Sequence, residues 1–471
     1  MPRFGRDQLG FAELAEVVCR REGVREIVVP DALAALARAA LSSRPTAVRV
    51  RAHSALGAAP IARPDPRGFH LVQHSSGSTG APKGIELDDA ALGSNVTALL
   101  AATGATAGDG TVSWLPLSHD MGLVGMLLTG VAAGAGATRG RSEVHLMEPG
   151  RFLRSPASWV QELSDRRASI TAAPDMGYRL VIDHGAAPAV DLSRLRCAIV
   201  GGEVVRASTL QRLTAALAPL GLSPSAPCPA YGLSEVGLGV SLTPPGAGWR
   251  ELALDGDRVI DRSWRHGSAP TSGGGRAGGL RSAVVASGVP LAGYDVGVAG
   301  ESRTGRLLVR GPSIGRHPGD GASLAGPDGW LDTGDLGAVV DGWVVVTGRA
   351  DDLLVVHGLQ VHAPALEDDL ARVPGVRAGR VLAVTRPTGE WVVLAESERG
   401  ADPATLRSDL AVVAVRHAGA RPDEVTLVRL GQLPTTPSGK LRRGEALARL
   451  LRGELEEAWH RPVSSAPRST W

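Results

Sequence analysis

The stretch Gln73-His-Ser-Ser-Gly-Ser-Thr-Gly-Ala-Pro-Lys-Gly84 holds four hydroxyl side chains, three glycines and one lysine, and no carboxylate. Backbone without a Cβ approaches a ligand closely and turns through positive φ. A run of N–H and O–H donors with one cation suits an oligophosphate. The donors here are Ser75, Ser76, Gly77, Ser78, Thr79, Gly80 and Lys83. The spacing differs from the common phosphate loop, because Lys83 is followed by Gly84 rather than Ser or Thr. A flexible Gly/Ser linker is the alternative, yet a linker has no need of the Pro-Lys-Gly ending.

Six further motifs could do chemistry. Ser118-His119-Asp120-Met121-Gly122 follows the apolar run Thr111–Leu117, and Gly201-Gly202-Glu203 follows Cys197–Val200. Polar residues just beyond a strand's carboxyl end are the usual ligand contacts of open α/β sheets. A capping or core histidine fits His119 equally well. Tyr231-Gly232-Leu233-Ser234-Glu235 places an aromatic face, a turn, a hydroxyl and a carboxylate within a few residues. Tyr231 could stack on a base, and Glu235 could hold a magnesium ion that bridges phosphates. Asp332-Thr-Gly-Asp335 and Gly348-Arg349-Ala350-Asp351-Asp352 sit among short alternating strands, and Pro437-Ser-Gly-Lys440 comes near the end.

The elements that must position these groups alternate. Strands are expected at 24–30, 47–52, 69–72, 111–117, 169–173 and 197–200, with helices at 11–22, 31–41, 88–102, 155–167, 175–183 and 206–218. Such alternation argues for a parallel sheet covered on both faces. Residues 242–282 are dominated by Pro, Gly, Ser and Arg and read as a loop or insertion. Gly273–Gly278 fits a dinucleotide fingerprint in letters only, having no strand before it and no helix after it. Beyond it come short strands at 306–310, 330–331, 338–340, 343–346 and 353–356, with Asp341-Gly342 as a turn. From Ala363 the order is helix, strand, strand, helix, strand and a last helix to about Trp459, the pattern of a small α+β domain. The fold class is therefore α/β: a large N-terminal part of stacked αβ sheets plus a β-rich subdomain, then a small α+β C-terminal domain.

With 471 residues the chain is too long for one core. Its formal charge of +2 shows no nucleic-acid footprint. Cys19, Cys197 and Cys228 are too widely spaced for a disulfide framework or zinc cluster, so a reducing interior is expected. Met1–Gly10 has no apolar signal core, and the uncharged run Met121–Thr138 reads as buried helix and loop rather than a membrane span. The expected location is the cytoplasm.

Taken together, in order and rough spacing, these motifs resemble the adenylate-forming superfamily over about residues 24 to 450. Within it, Trp114-Leu-Pro-Leu-Ser-His-Asp-Met-Gly-Leu-Val-Gly125, Ala173–Tyr178 and Asp423–Arg429 look most like the fatty acyl-AMP ligases. The Phe-Asp pair that holds the substrate amine in peptide-synthetase adenylation domains is missing, which disfavours an α-amino acid. Ser234 replaces the alanine usual in the acyl-AMP ligases and is nearer the threonine of CoA ligases.

The resemblance implies ATP and Mg²⁺ as the cofactors and a role for each residue. The loop 75–84 would bind the β- and γ-phosphates. Gly201, Gly202 and Tyr231 would frame the adenine, with Glu203 and Gly232 beside them. Ser234 and Glu235 would serve the α-phosphate and Mg²⁺, and Asp335 the ribose hydroxyls with Arg349 alongside. Asp351 matches a hinge and Lys440 the lysine that reaches the carboxylate and α-phosphate; Lys440, Glu235 and His119 would be catalytic. Expected domains are 1–349 for nucleotide binding, shortened at its start relative to the family, 350–459 as a mobile lid, and 460–471 as a disordered tail. The expected activity is adenylation of a fatty or related carboxylic acid, then transfer to the phosphopantetheine thiol of an acyl carrier protein. The alternatives are CoA as the acceptor and a non-catalytic nucleotide-binding protein.

Overall fold

The computed structural model describes residues 26–29, 31, 34, 35, 37, 38, 49–56, 70–75, 83–135, 142–185, 189–255, 258–261, 282–356, 359–435 and 441–455. The chain divides into two compact units. One comprises 65–75 and 84–350; the other comprises 1–64, 76–83 and 351–471.

The first unit is built on a seven-stranded sheet. Across it run Val289–Pro290, Gly239–Leu242, Pro227–Gly232, Cys197–Val200, Ile170–Ala173, Gly110–Ser113 and Glu143–Leu146. The last five pair in parallel. Parallel neighbours need a crossover, and helices Ala157–Asp165, Asp175–His184 and Ala207–Leu217 supply three of them. Strand Ile170–Ala173 is buried at every position, as a strand covered on both faces must be. On one face Trp114 stacks on Phe152 with centroids 3.8 Å apart, and Trp159 meets both rings edge-on.

A four-stranded antiparallel sheet follows, Asp295–Val298, Thr304–Arg310, Leu331–Val340 and Trp343–Arg349. Two short strands expected around 330–340 are one ten-residue strand. Its hairpin turns on Asp341 (φ 48°) and Gly342 (φ 79°), the paired positive φ of a tight two-residue turn. The expectation of a loop over 242–282 needs correction, since Glu251–Asp255, Arg258–Asp261 and Ser282–Val285 form an antiparallel sheet. The short apolar runs there are outweighed by the surrounding Pro, Gly and Ser. The fingerprint-like 273–278 and the helix expected at 11–22 lie outside the described residues.

In the second unit Glu26–Val29 and Arg49–Ala52 pair in parallel, with Arg51 on Glu26 at 3.0 Å. Its C-terminal portion has strand Val376–Thr385 antiparallel to Trp391–Ser397, which runs parallel to Glu424–Val428. Helices Ala363–Leu370 and Pro403–Ala418 share a core with Trp391.

Helix Asp89–Thr103 begins where the expected helix did, because the Asp88 side chain accepts from Ala91 N. It is tied to the central sheet by Asn95, which is wholly buried. Asn95 donates to Gly239 O (2.9 Å) and to the Tyr294 hydroxyl (2.7 Å), and accepts from Gly239 N (3.1 Å). Asn95→Ala removes the side-chain bonds to the Gly239 N–H and C=O and leaves the Tyr294 hydroxyl only its bond to Ser313, so we expect the unit to lose about 2–4 kcal/mol. Urea unfolding followed by tryptophan fluorescence measures it; a midpoint equal to the parent's would show that the bonds contribute nothing.

Candidate active site

The expected site residues of the first unit gather where the strands of the central sheet end. Strand Cys197–Val200 delivers Gly201 and Gly202. A Cβ on Gly201 would lie 2.9 Å from Ala230 O, and one on Gly202 (φ +75°) 2.9 Å from the end of Met121. Three motifs distant in sequence therefore meet at two glycines, which explains why neither can be larger. Glu203 has a structural task, accepting the Met176 N–H at 2.6 Å in the first turn of helix Asp175–His184.

Strand Gly110–Ser113 leads to His119 and Asp120. Asp120 is buried, while His119 is about half exposed. The 2.6 Å contact from His119 Nδ1 to Asp120 Oδ1 requires the proton on Nδ1. The nearby Met121 N–H then belongs to Asp120 Oδ1 (2.7 Å) rather than to the ring nitrogen at 3.2 Å. Nε2 is the nitrogen that remains for a ligand. The other oxygen of Asp120 takes the Ser234 hydroxyl at 2.6 Å. Burial pushes Asp120 up, but His119, Ser234 and the Met121 amide outweigh it and hold the carboxyl below its usual range.

Strand Pro227–Gly232 supplies Tyr231, whose ring is buried in the core shared by the two main sheets. Its hydroxyl donates to Asp335 Oδ2 at 2.7 Å across 104 residues. Burial, with Asp335 next, pushes the phenol well up, so it stays a donor. Asp335 is held further by its own N–H on Thr333 Oγ1 (3.1 Å) and lies opposite Arg349 in the strand register. Arg349 Nε is 3.8 Å from Asp335 Oδ1 and about half exposed. Glu235 sits on the short turn Ser234–Val236. Among the described residues it has no ion pair within 4.0 Å. Burial raises its carboxyl above the usual range against the pull of its own backbone N–H and of Arg349, with Asp335 and Asp120 adding to the rise.

The described residues thus bring together His119, Gly201, Gly202, Tyr231, Gly232, Ser234, Glu235, Asp335 and Arg349. Asp120 was missed as a site residue; the signal was its place beside His119 in a motif read for the histidine. Ser76, Gly77, Ser78, Thr79, Gly80 and Lys440 lie outside the described residues, and of Ser75 and Lys83 only the strand backbone is described. Asp351 is exposed in the turn Ala350–Asp352, at the division between the units. No described helix is long and apolar enough to cross a membrane.

A tyrosine-held aspartate and a half-buried glutamate with no ion pair among the described residues, both at the strand ends of an open α/β sheet, fit a nucleotide-using enzyme of the adenylate-forming class. A model of the AMP-binding enzyme family matches residues 6–317, and the chain belongs to that family. It is 34% identical over 400 residues to a Caulobacter vibrioides protein assigned provisionally as an acyl-CoA synthetase, covering 81% of this chain and 68% of that one. It is 28% identical over 460 residues to the long-chain-fatty-acid–AMP ligase FadD32 of Mycolicibacterium smegmatis, covering 83% and 70%. A solved structure from a study of fatty acyl-adenylate ligases of E. coli and L. pneumophila superposes with a TM-score of 0.83 at 27% identity, over 96% of this chain and 83% of the other.

Tyr231→Phe removes the donor to Asp335 without changing the core. A hydrogen bond to a charged acceptor contributes about 1.5 kcal/mol, so KM for ATP should rise roughly tenfold with the fold intact. An unchanged KM would mean that Asp335 is placed without it. For Glu235, whose folded pKa is raised, stability is full below the ordinary carboxylate range and falls as pH rises through the raised value. Glu235→Gln removes that loss. Its Tm should exceed the parent's at pH 8 without nucleotide and match it at pH 4; an equal gap at both would refute the reading.

Proposed function

We propose that this chain joins a fatty or related carboxylic acid to ATP, giving acyl-AMP and pyrophosphate, and passes the acyl group to a phosphopantetheine thiol on a carrier protein. The observation that supports it best is the Tyr231–Asp335 bond beside Glu235, a carboxylate with no ion pair among the described residues. One aspartate is fixed to accept two hydroxyls, as a ribose offers, and one carboxylate needs a cation.

In this reading a carboxylate oxygen of the acid attacks the α-phosphorus while the bond to pyrophosphate breaks. Asp335 accepts from the ribose, and Tyr231 and Arg349 keep it oriented. Gly201 and Gly202 let the backbone after strand Cys197–Val200 pass close to Ala230 and Met121, beside where the base would bind. The loop 75–84 holds the leaving phosphates. Glu235 fits Mg²⁺, because a hard cation at phosphates takes one or two protein carboxylates and relieves the cost of ionising a buried one. When bound, Mg²⁺ would neutralise charge on the phosphates. The attack brings two anions together, costing about 4 kcal/mol at 4 Å and an effective dielectric near 20. Lys440 offsets that cost where charge develops. His119 offers Nε2 to the reacting groups.

The long-chain-fatty-acid–AMP ligase among the relatives supports a fatty acid. The M. tuberculosis 4-hydroxyphenylalkanoate adenylyltransferase, 31% identical, widens the class to acids with other tails. The Caulobacter relative favours a second reading, with CoA as the acceptor.

Acid-dependent exchange of pyrophosphate into ATP, over acids of graded length, should reveal turnover; silence across the panel would reject adenylation. Lys440→Ala should cut exchange by at least ~100-fold with nucleotide binding little changed. Supplying CoA alone, then a phosphopantetheinylated carrier alone, assigns the acceptor by which one carries the acyl group.

A further inference from the structure

Lys440 lies in a segment whose two sides close on each other. The Arg442 N–H donates to Pro434 O at 2.9 Å, and Thr435 and Leu441 form an isolated antiparallel bridge. Both sides of this neck are anchored into the small mixed sheet. On the incoming side the Leu433 N–H donates to Glu396 Oε1 at 3.1 Å, and Glu396, fully buried, is paired with Arg377 at 2.9 Å.

On the outgoing side the anchor is one guanidinium. Arg443 Nε donates to Ala383 O at 3.1 Å. Its Nη2 reaches both oxygens of Glu367, at 2.8 and 2.9 Å, and its Nη1 pairs with Asp352. Glu367 Oε1 also accepts the Ala383 N–H at 2.8 Å, so the cluster locks helix Ala363–Leu370 to strand Val376–Thr385. The Arg443 side chain is only 16% exposed and that of Glu367 14%. Asp352 is the second residue of this part of the chain, next to Asp351. A single fork thus joins its first turn to the neck that presents Lys440.

Burial pushes Glu367 up to about 7 even against Arg443, which marks the carboxylate as one this fold keeps only with a cation beside it. A buried ion cluster is weak evidence for stability, since apolar residues often do as well; geometric specificity is its better-attested use. Arg suits that use because its planar fork fixes directions that a lysine ammonium does not.

We propose that Arg443 is a positioning residue for Lys440, holding the loop neck against Asp352 and Glu367 so that adenylation depends on Arg443 through Lys440. The proposal rests on the adenylation role given to Lys440 above.

The test is a double-mutant cycle in acid-dependent pyrophosphate exchange on the full chain: parent, Arg443→Lys, Lys440→Ala and both together. Arg443→Lys should lower kcat at least tenfold with KM for ATP within threefold of the parent, and the double variant should be no slower than Lys440→Ala. Losses that multiply, a loss carried by KM, or a parental rate would each overturn the proposal. If Lys440→Ala itself exchanges normally, it is the adenylation role of Lys440 that fails. Glu367→Gln gives a readout free of activity. Trypsin cleavage after Lys440, followed by mass spectrometry below the unfolding temperature, should quicken several-fold; cleavage at the parental rate would refute the clamp. Should Arg443→Lys not fold, the same cycle run with Glu367→Gln decides.

Discussion

Three carboxylates share the strand ends of the larger unit, and the field among them sets what the site can hold. Asp120 is held ionised by a histidine, a hydroxyl and an amide. Asp335 is fixed by a tyrosine and faced by Arg349 at the edge of contact. Glu235 has no ion pair within contact distance among the described residues; its own N–H and the more distant Arg349 favour its charge, while the other two carboxylates act on it as like charges. Burial and those like charges raise the Glu235 carboxyl, and a ligand that brings positive charge would favour its ionised form. In the proposed function a nucleotide alone would not do so, since its phosphates add to the repulsion, whereas a nucleotide carrying a divalent cation would.

That arrangement was partly legible in the sequence. The parallel core was, because buried strands such as Cys197–Val200 and flanking helices such as Asp175–His184 have unmistakable periods. The three β-strands within 251–285 were not, because four- and five-residue strands in a Gly- and Pro-rich context carry too few alternations to read. Tyr231, Glu235 and Asp335 could be named from their motifs, but the bond joining Tyr231 to Asp335 spans 104 residues and exists only once two sheets are packed. Reading Tyr231 as a stacking face alone understated it; its hydroxyl is also what orients Asp335. Glu203 shows the converse. Its carboxylate is engaged at a helix start, a role invisible in a Gly-Gly-Glu triplet.

The smaller unit solves a different problem. In the proposed function a lysine that stabilises developing charge must be placed closely, because a misplacement of an ångström can cost about a hundredfold in rate. Charged clusters at Glu396–Arg377 and at Arg443–Glu367–Asp352 hold the two sides of the Lys440 segment, where apolar packing would fill space without fixing direction. In the proposed function, binding groups on strand ends and a lysine beside an anchored neck are two answers to the same demand for placement.

Ser234 sharpens this division. A serine hydroxyl has one proton, and here it goes to Asp120 at 2.6 Å. While that bond lasts, Ser234 has no proton to give an α-phosphate oxygen; what it offers a ligand is lone pairs. Lone pairs suit a cation and repel a phosphate. In the proposed function this favours a place for Ser234 beside the cation with Glu235 over one beside the phosphate. An alanine at this position, usual in the acyl-AMP ligases, would leave Asp120 without one of the three donors that hold it ionised. The serine thus helps keep Asp120 charged, which in the proposed function adds to the site's demand for a cation before any phosphate can settle.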